Sequence, residues 1–275
     1  MTYDIIQLRA IAPACGVEIG GVDLSADINE ATVKEIRRAL LQFRVIFFRH
    51  QDITPDQHLA FARRFGDLVD YPMVTGLDGY PDIVPVVKLE HETHNFGGIW
   101  HSDTTYLAQP PMGAILVARE LPPEGGDTLF ANMVMAYEAL SDAMRGFLEG
   151  LTAEHSGALN QTLNNADPIN ARIETIPDPV VHPVVRTHPE TGQKALFVNE
   201  GFTARIDGWS DDESRRLLSR LYQHCMEDRF IYRHQWRSND LVMWDNRCTM
   251  HCATPYDLSH ERSMHRATIR GNLPV

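Results

Sequence analysis

From about residue 98 onward the chain is cut into short apolar runs, and this spacing limits its fold more than any other feature. GAILVAR, DTLFAN, VVHPVVRTH, ALFVN, RFIYRHQW, LVMWDN and HRATIRG are separated by turns such as PPEGGD and HPETGQ. Runs rich in Val, Ile, Phe and Trp and bounded by Gly, Pro and Asp read as strands. Two helices interrupt them, SDAMRGFLEGL and SDDESRRLLSRLYQHCM, the second opened by a capping box of Ser210 and Glu213. Many short strands with few helices predict a mainly β, α+β fold: a β-sandwich or jelly-roll core with helical cover.

Before residue 98 the pattern is mixed. DINEATVKEIRRALLQFR places Val33, Ile36, Leu40 and Phe43 on one helical stripe, VIFFRH follows as a buried strand, and TPDQHLAFARRFG reads as a second helix. Thr54 is its N-cap, Pro55 sits in its first turn and Gly66 is its stop. With no internal repeat, low-complexity tract or linker, residues 1–275 are expected to form a single domain.

A net charge of −12 argues against nucleic acid or an anionic membrane as the main partner. No run approaches the roughly 20 apolar residues that span a bilayer, and the first 20 residues lack the layout of a secretory signal. Cys15, Cys225, Cys248 and Cys252 are too scattered for a disulfide framework, so a reducing cytoplasm is the expected compartment.

The chemistry-bearing residues start with GIWHSDTTYL. If this segment is a strand, His101 and Asp103 point the same way, because alternate residues share a face. The pair is either a surface ion pair or two thirds of a metal site. A second histidine, His251, follows the strand-like run LVMWDNRCTMH. Two imidazoles and a carboxylate on one side of an ion leave three positions open, as Fe(II) needs when it must bind both a co-substrate and O₂. Zinc would favour a closed thiolate site, but Cys248 and Cys252 have no second pair to complete one, and both are read as free thiols. If RSMHRATIRG is a strand, Arg262 and Arg266, four apart, share one face, either as a solvated strand edge or as planar forks that suit a carboxylate. His91 and His94 are read as a solvated loop, and His182 and His188, beside prolines, as turn formers.

Together, the His101–Asp103 pair, GGDTLF, HPVVRTHPETGQKALFVNEGF and the stretch from WDNRCTMH to RSMHRATI resemble the taurine dioxygenase-like family. The resemblance begins with GVEIGGVDLS and VIFFRHQDIT and runs over nearly the whole chain. It implies a double-stranded β-helix (a cupin-like jelly roll) and an Fe(II)- and 2-oxoglutarate-dependent dioxygenase that consumes O₂ and releases succinate and CO₂. It further implies His101, Asp103 and His251 as iron ligands and catalytic residues, with Thr128 helping to hold 2-oxoglutarate and Arg262 on its distal carboxylate. Arg266 is implied at both the co-substrate and the primary substrate. The primary substrate is expected to be a small organic acid or sulfonate, and the family leaves room for a homodimer or homotetramer.

The match departs from the taurine enzymes at the substrate. Tyr71 and Gly97 stand where their histidine and asparagine contact the sulfonate, and Val74 stands in place of a tyrosine, while Phe202 and Arg266 are kept. Asn95 and Thr104 complete the expected substrate contacts. A pocket that has lost polar groups should reject a small hydrated sulfonate and accept an acid with a larger apolar body. Taurine itself is therefore not the expected substrate. The alternative is a tailoring oxygenase acting on a carboxylated terpenoid-like scaffold. A non-catalytic sensor on this fold would have lost a ligand or Arg262, and neither is lost.

Overall fold

The computed structural model describes residues 2–69, 75–91, 97–159 and 177–275. Its elements are β1 (Gln7–Ala10), β2 (Val17–Gly20), α1 (Glu30–Phe43), β3 (Val45–Phe48), α2 (Pro55–Arg63), β4 (Ile83–Lys88), β5 (Gly113–Glu120) and β6 (Thr128–Asn132). There follow α3 (Met133–Glu138), α4 (Asp142–Leu148), β7 (Thr152–His155), β8 (Val180–Pro183), β9 (Val185–Thr187), β10 (Lys194–Leu196) and β11 (Thr203–Ile206). The chain closes with α5 (Asp211–Cys225), β12 (Ile231–His234), β13 (Leu241–Asp245), β14 (Thr249–Ala253) and β15 (Arg262–Ile269). The molecule is mainly β, as expected.

Seven strands form the large sheet in the order β1-β2-β3-β13-β5-β15-β4, and β12-β6-β14 form a smaller one. Within both, every pair is antiparallel except β2 with β3. The central strands of the large sheet are apolar on both faces, and alternation divides them between two cores. Ile46, Phe48, Ile115, Val117, Leu241 and Met243 turn towards α1 and α2. Val45, Phe47, Ala114, Leu116, Val242, Trp244 and Met264 turn the other way and meet Phe130 and Tyr232 of the smaller sheet. Each large side chain so buried contributes about 1.5–3 kcal/mol. This second core lies between the two sheets, and the candidate site opens from it.

The helices cap as their sequences require. The Asn29 side chain accepts from the Thr32 N–H at the start of α1, and Val33, Ile36 and Leu40 are buried along it. Thr54 with Gln57 and Ser210 with Glu213 form capping boxes on α2 and α5. Three expectations need correction. VVHPVVRTH is two strands, β8 and β9, so His182 lies within a strand and not in a turn. α3, which Asn132 caps, was not expected at all. GIWHSDTTYL is also not a strand: only His101 bridges, to His251, and turns follow. Thr104 adopts φ +44°, a left-handed backbone that ends any ladder there. Among the described residues, no helix is long and apolar enough to cross a membrane.

Candidate active site

His101 and His251 are joined through their backbones: each N–H donates to the other's carbonyl, at 3.0 and 2.7 Å. This bridge brings their rings to 4.2 Å between centroids. Asp103 comes to the same point, its Oδ1 3.8 Å from His101 Nε2 and 3.7 Å from His251 Nε2. Those separations are too long for hydrogen bonds. All three ligand atoms lie within 4.8 Å of one another, so one ion can be shared.

The surroundings keep each group in its ligating form. His101 Nδ1 lies 2.7 Å from the carbonyl of Ile99, which takes the ring proton there and leaves Nε2 with its lone pair towards Asp103. Burial lowers the pKa of both imidazoles, that of His251 to about 3, so both are neutral at pH 7. Burial alone would raise Asp103, but the Arg266 guanidinium and the two histidines outweigh it and hold the carboxyl at about 2. Arg266 grips both carboxylate oxygens at 3.0 Å, and Trp244 Nε1–H donates to Oδ2 at 3.2 Å.

The backbone of Asp103 has a clamp of its own. Its N–H donates to Asn246 Oδ1 at 2.7 Å, and its carbonyl accepts from Asn246 Nδ2 at 3.1 Å. One amide side chain thus replaces the strand partner that the turn denies this residue. Asn246 and Trp244 both lie in a quoted motif, but neither was singled out from the sequence. The signal was there: a tryptophan in a buried strand needs a partner for its N–H.

The cleft between the sheets encloses about 490 Å³, part of it open to solvent. His101, His251, Thr128, Arg262 and Arg266 line it together with Val86, Leu116, Phe130, Trp236 and Trp244. Arg262, Met264 and Arg266 share the inward face of β15, so the predicted pair does point the same way. Arg262 is 5% exposed, its Nε has no hydrogen-bond partner among the described residues, and Nη2 is 3.5 Å from the Gly126 carbonyl. Burial lowers its pKa to about 10. Gly126, with φ +66°, allows this close approach: a β-carbon there would stand 3.2 Å from Pro122 and 3.5 Å from Arg262 Nε.

Of the expected substrate residues, Phe202 sets its ring edge-on to His101 at 6.1 Å. The Thr104 hydroxyl is buried without a partner among the described residues. Gly97 has φ +80°, and a β-carbon there would reach His101 Cε1 at 3.6 Å. Tyr71, Val74, Asn95 and His94 lie outside the described residues.

A family model, "Taurine catabolism dioxygenase TauD, TfdA family", matches residues 7–268. The chain belongs to this family. Among its relatives is the alpha-ketoglutarate-dependent 2,4-dichlorophenoxyacetate dioxygenase of Cupriavidus pinatubonensis, 37% identical, with 93% of each chain covered. The alpha-ketoglutarate-dependent sulfate ester dioxygenase of Pseudomonas putida is 33% identical over 98% of this chain and 91% of its own. The crystal structure of AAD-2 in complex with Mn(II) and N-oxalylglycine superposes with a TM-score of 0.84 at 33% identity, covering 100% of this chain and 99% of the other. The protein is therefore a 2-oxoglutarate-dependent dioxygenase, an oxidoreductase that uses Fe(II), 2-oxoglutarate and O₂. The donor set fits that metal: two neutral imidazoles and one ionised carboxylate on a cleft, with further positions left for other ligands.

Proposed function

We propose that this dioxygenase oxidises a C–H bond of a small organic acid whose apolar body is larger than that of taurine. One observation carries the assignment of the site: a histidine–aspartate–histidine triad and the buried guanidinium of Arg262, without a carboxylate partner among the described residues, line or adjoin the same cleft. In this reading His101, Asp103 and His251 hold the iron. Arg262 and Thr128 hold the distal carboxylate of 2-oxoglutarate. When bound, iron, 2-oxoglutarate and O₂ supply the oxidising power, with succinate and CO₂ as products.

The chain's own part is to bind, orient and exclude water. Arg266 keeps Asp103 ionised and also lines the cleft, where its charge faces the substrate's acid group. Val86, Leu116, Phe130 and Trp244 give the cleft dry walls in which those charges act strongly. Thr104, Phe202, Gly97, Tyr71, Val74 and Asn95 are assigned to the substrate side from the sequence, and the Phe202 ring beside His101 and Gly97 in the cleft lining support this. Relatives acting on a chlorinated aryloxy acid and on sulfate esters support a substrate of this class. Gly97 supports the exclusion of taurine, since it leaves no side chain to reach an anion beside His101.

We also read the large sheet and the β12-β6-β14 sheet as the two faces of a double-stranded β-helix, and the chain as one domain. Four free cysteines support a reducing, cytoplasmic setting.

The test is succinate release from 2-oxoglutarate and Fe(II) across aryloxyacetates, alkyl sulfates, alkanesulfonates and taurine. An aryloxy acid or alkyl sulfate should stimulate release. Taurine, short of two hydrogen bonds to its sulfonate, should show a kcat/KM at least about a hundredfold lower. Arg262→Ala should raise the 2-oxoglutarate requirement by about 30-fold or more, since a buried carboxylate left without its partner costs about 2–5 kcal/mol. Taurine matching the best acid would overturn the substrate reading.

A further inference from the structure

Trp236 follows β12 and lines the cleft beside Thr128 and Arg262. We infer that Trp236 is a positioning residue for 2-oxoglutarate: its indole N–H turns the Thr128 hydroxyl into a hydrogen-bond donor aimed at the distal carboxylate. The inference rests on the assignment of Thr128 and Arg262 to that carboxylate.

The polarity of one hydrogen bond fixes the role of the hydroxyl. Trp236 Nε1 lies 2.9 Å from Thr128 Oγ1. An indole N–H can only donate, whereas a hydroxyl has one proton and two lone pairs. The contact therefore occupies a lone pair of Oγ1 and leaves the proton to point elsewhere. Among the described residues, no acceptor for that proton is found.

Thr128 is buried, and its strand is flanked by both neighbours: His234 of β12 and Ala253 of β14 stand opposite it. The open direction is the cleft. At the same end, Arg262 brings a second donor group whose Nε has no partner among the described residues. Two donor groups converging in a buried cleft suit an anion, and a carboxylate can accept from both.

Trp236 is itself held. Its ring meets that of His234 edge-on at 4.6 Å. His234 in turn lies 2.8 Å from the Tyr232 hydroxyl and 3.4 Å from Asp240. The Trp236 N–H is thus in place on Thr128 Oγ1 before any ligand arrives, which reduces the ordering required on binding.

Trp236→Phe keeps an aromatic ring and removes only the N–H. The measurement is calorimetric titration of the Mn(II)-loaded protein without O₂, using 2-oxoglutarate and 2-oxopentanoate, which has the same chain length but no distal carboxylate. Trp236→Phe should weaken 2-oxoglutarate about three- to tenfold, the worth of one oriented hydrogen bond, and leave 2-oxopentanoate unchanged. Thr128→Val should weaken 2-oxoglutarate as well, and the double variant should bind it no worse than Thr128→Val alone. Equal losses for both ligands, or additive losses in the double variant, would reduce Trp236 to packing and overturn the inference. Unchanged binding in Trp236→Phe beside weakened binding in Thr128→Val would overturn it too, while leaving the carboxylate assignment intact. Unchanged binding in Thr128→Val would instead overturn that assignment.

Discussion

Among the described residues, two buried clusters carry the side chains of a metal site, and one of the two is built to hold a metal. His101, Asp103 and His251 form the first; His188, Asp245 and Cys248 form the second. In the second, the lone pairs of His188 and Asp245 that could ligate are already used. His188 Nδ1 accepts from the backbone N–H groups of Glu190 and Thr191, each at 3.2 Å, so its Nε2–H donates to Asp245 Oδ2 at 2.9 Å. Arg247 covers both oxygens of the same carboxylate, Nε to Oδ1 at 2.8 Å and Nη2 to Oδ2 at 2.6 Å. Burial pushes the Cys248 thiol well above its usual range, so it stays protonated. In the first cluster both Nε2 atoms lack hydrogen bonds to Asp103 and face a cleft. Both offer side chains that commonly ligate metals. Spare lone pairs and access make the difference.

The widest gap between the clusters should appear on removing one histidine. His251→Ala should lower 2-oxoglutarate-dependent succinate formation more than about a thousandfold, beyond the 10–100-fold attributed to outer partners. Little stability should be lost, because the ring makes no side-chain hydrogen bond among the described residues, its Nδ1 included. Equilibrium titration with Mn(II) sharpens the contrast. Tight binding that survives in His251→Ala would place the metal in the second cluster and break the comparison.

Asp245→Ala should act in the opposite manner, on stability before chemistry. It strips Arg247 and His188 of their buried partner, at a cost of about 3–5 kcal/mol in a denaturant titration. The pair also predicts a pH dependence. Burial alone would raise the Asp245 carboxyl, but Arg247 and His188 hold it far below its ordinary value. Its stabilisation is therefore present above the unfolded value of about 4 and lost as pH falls below it. The variant should lack this portion of the acid sensitivity; an unaltered acid-unfolding profile would show that the cluster carries no such linkage.

The smallest effect expected is that of Asn246→Ala, which touches no ligand atom. It removes both hydrogen bonds to the Asp103 backbone and should weaken Mn(II) binding about 10–100-fold. If Mn(II) affinity stays at the wild-type level, Arg266 and Trp244 suffice to hold the carboxylate.

Most of the site was legible before the structure. The family resemblance implied His101, Asp103, His251, Thr128 and Arg262, and the structure brings all five to line or adjoin one cleft. The geometry behind the first pair was read wrongly. His101 and Asp103 converge through a single bridge followed by a left-handed turn at Thr104, not through a strand. A turn held by a side chain 143 residues away leaves no local periodicity to read. Arg266 has a further partner that its own stretch does not show: its fork closes on Asp103, distant in sequence.

By itself the sequence determined the alternation that buries both faces of the large sheet, the helix caps and the residue types available for ligation. These follow from local rules: a period of two, a hydroxyl or amide before a helix, a pair of imidazoles with a carboxylate. Only the tertiary structure decided which histidines keep a lone pair, that Arg262 has no carboxylate partner among the described residues, and that the Trp236 N–H meets the Thr128 hydroxyl. Each of those depends on partners brought from other strands, and hydrogen-bond saturation is a property of the assembled interior.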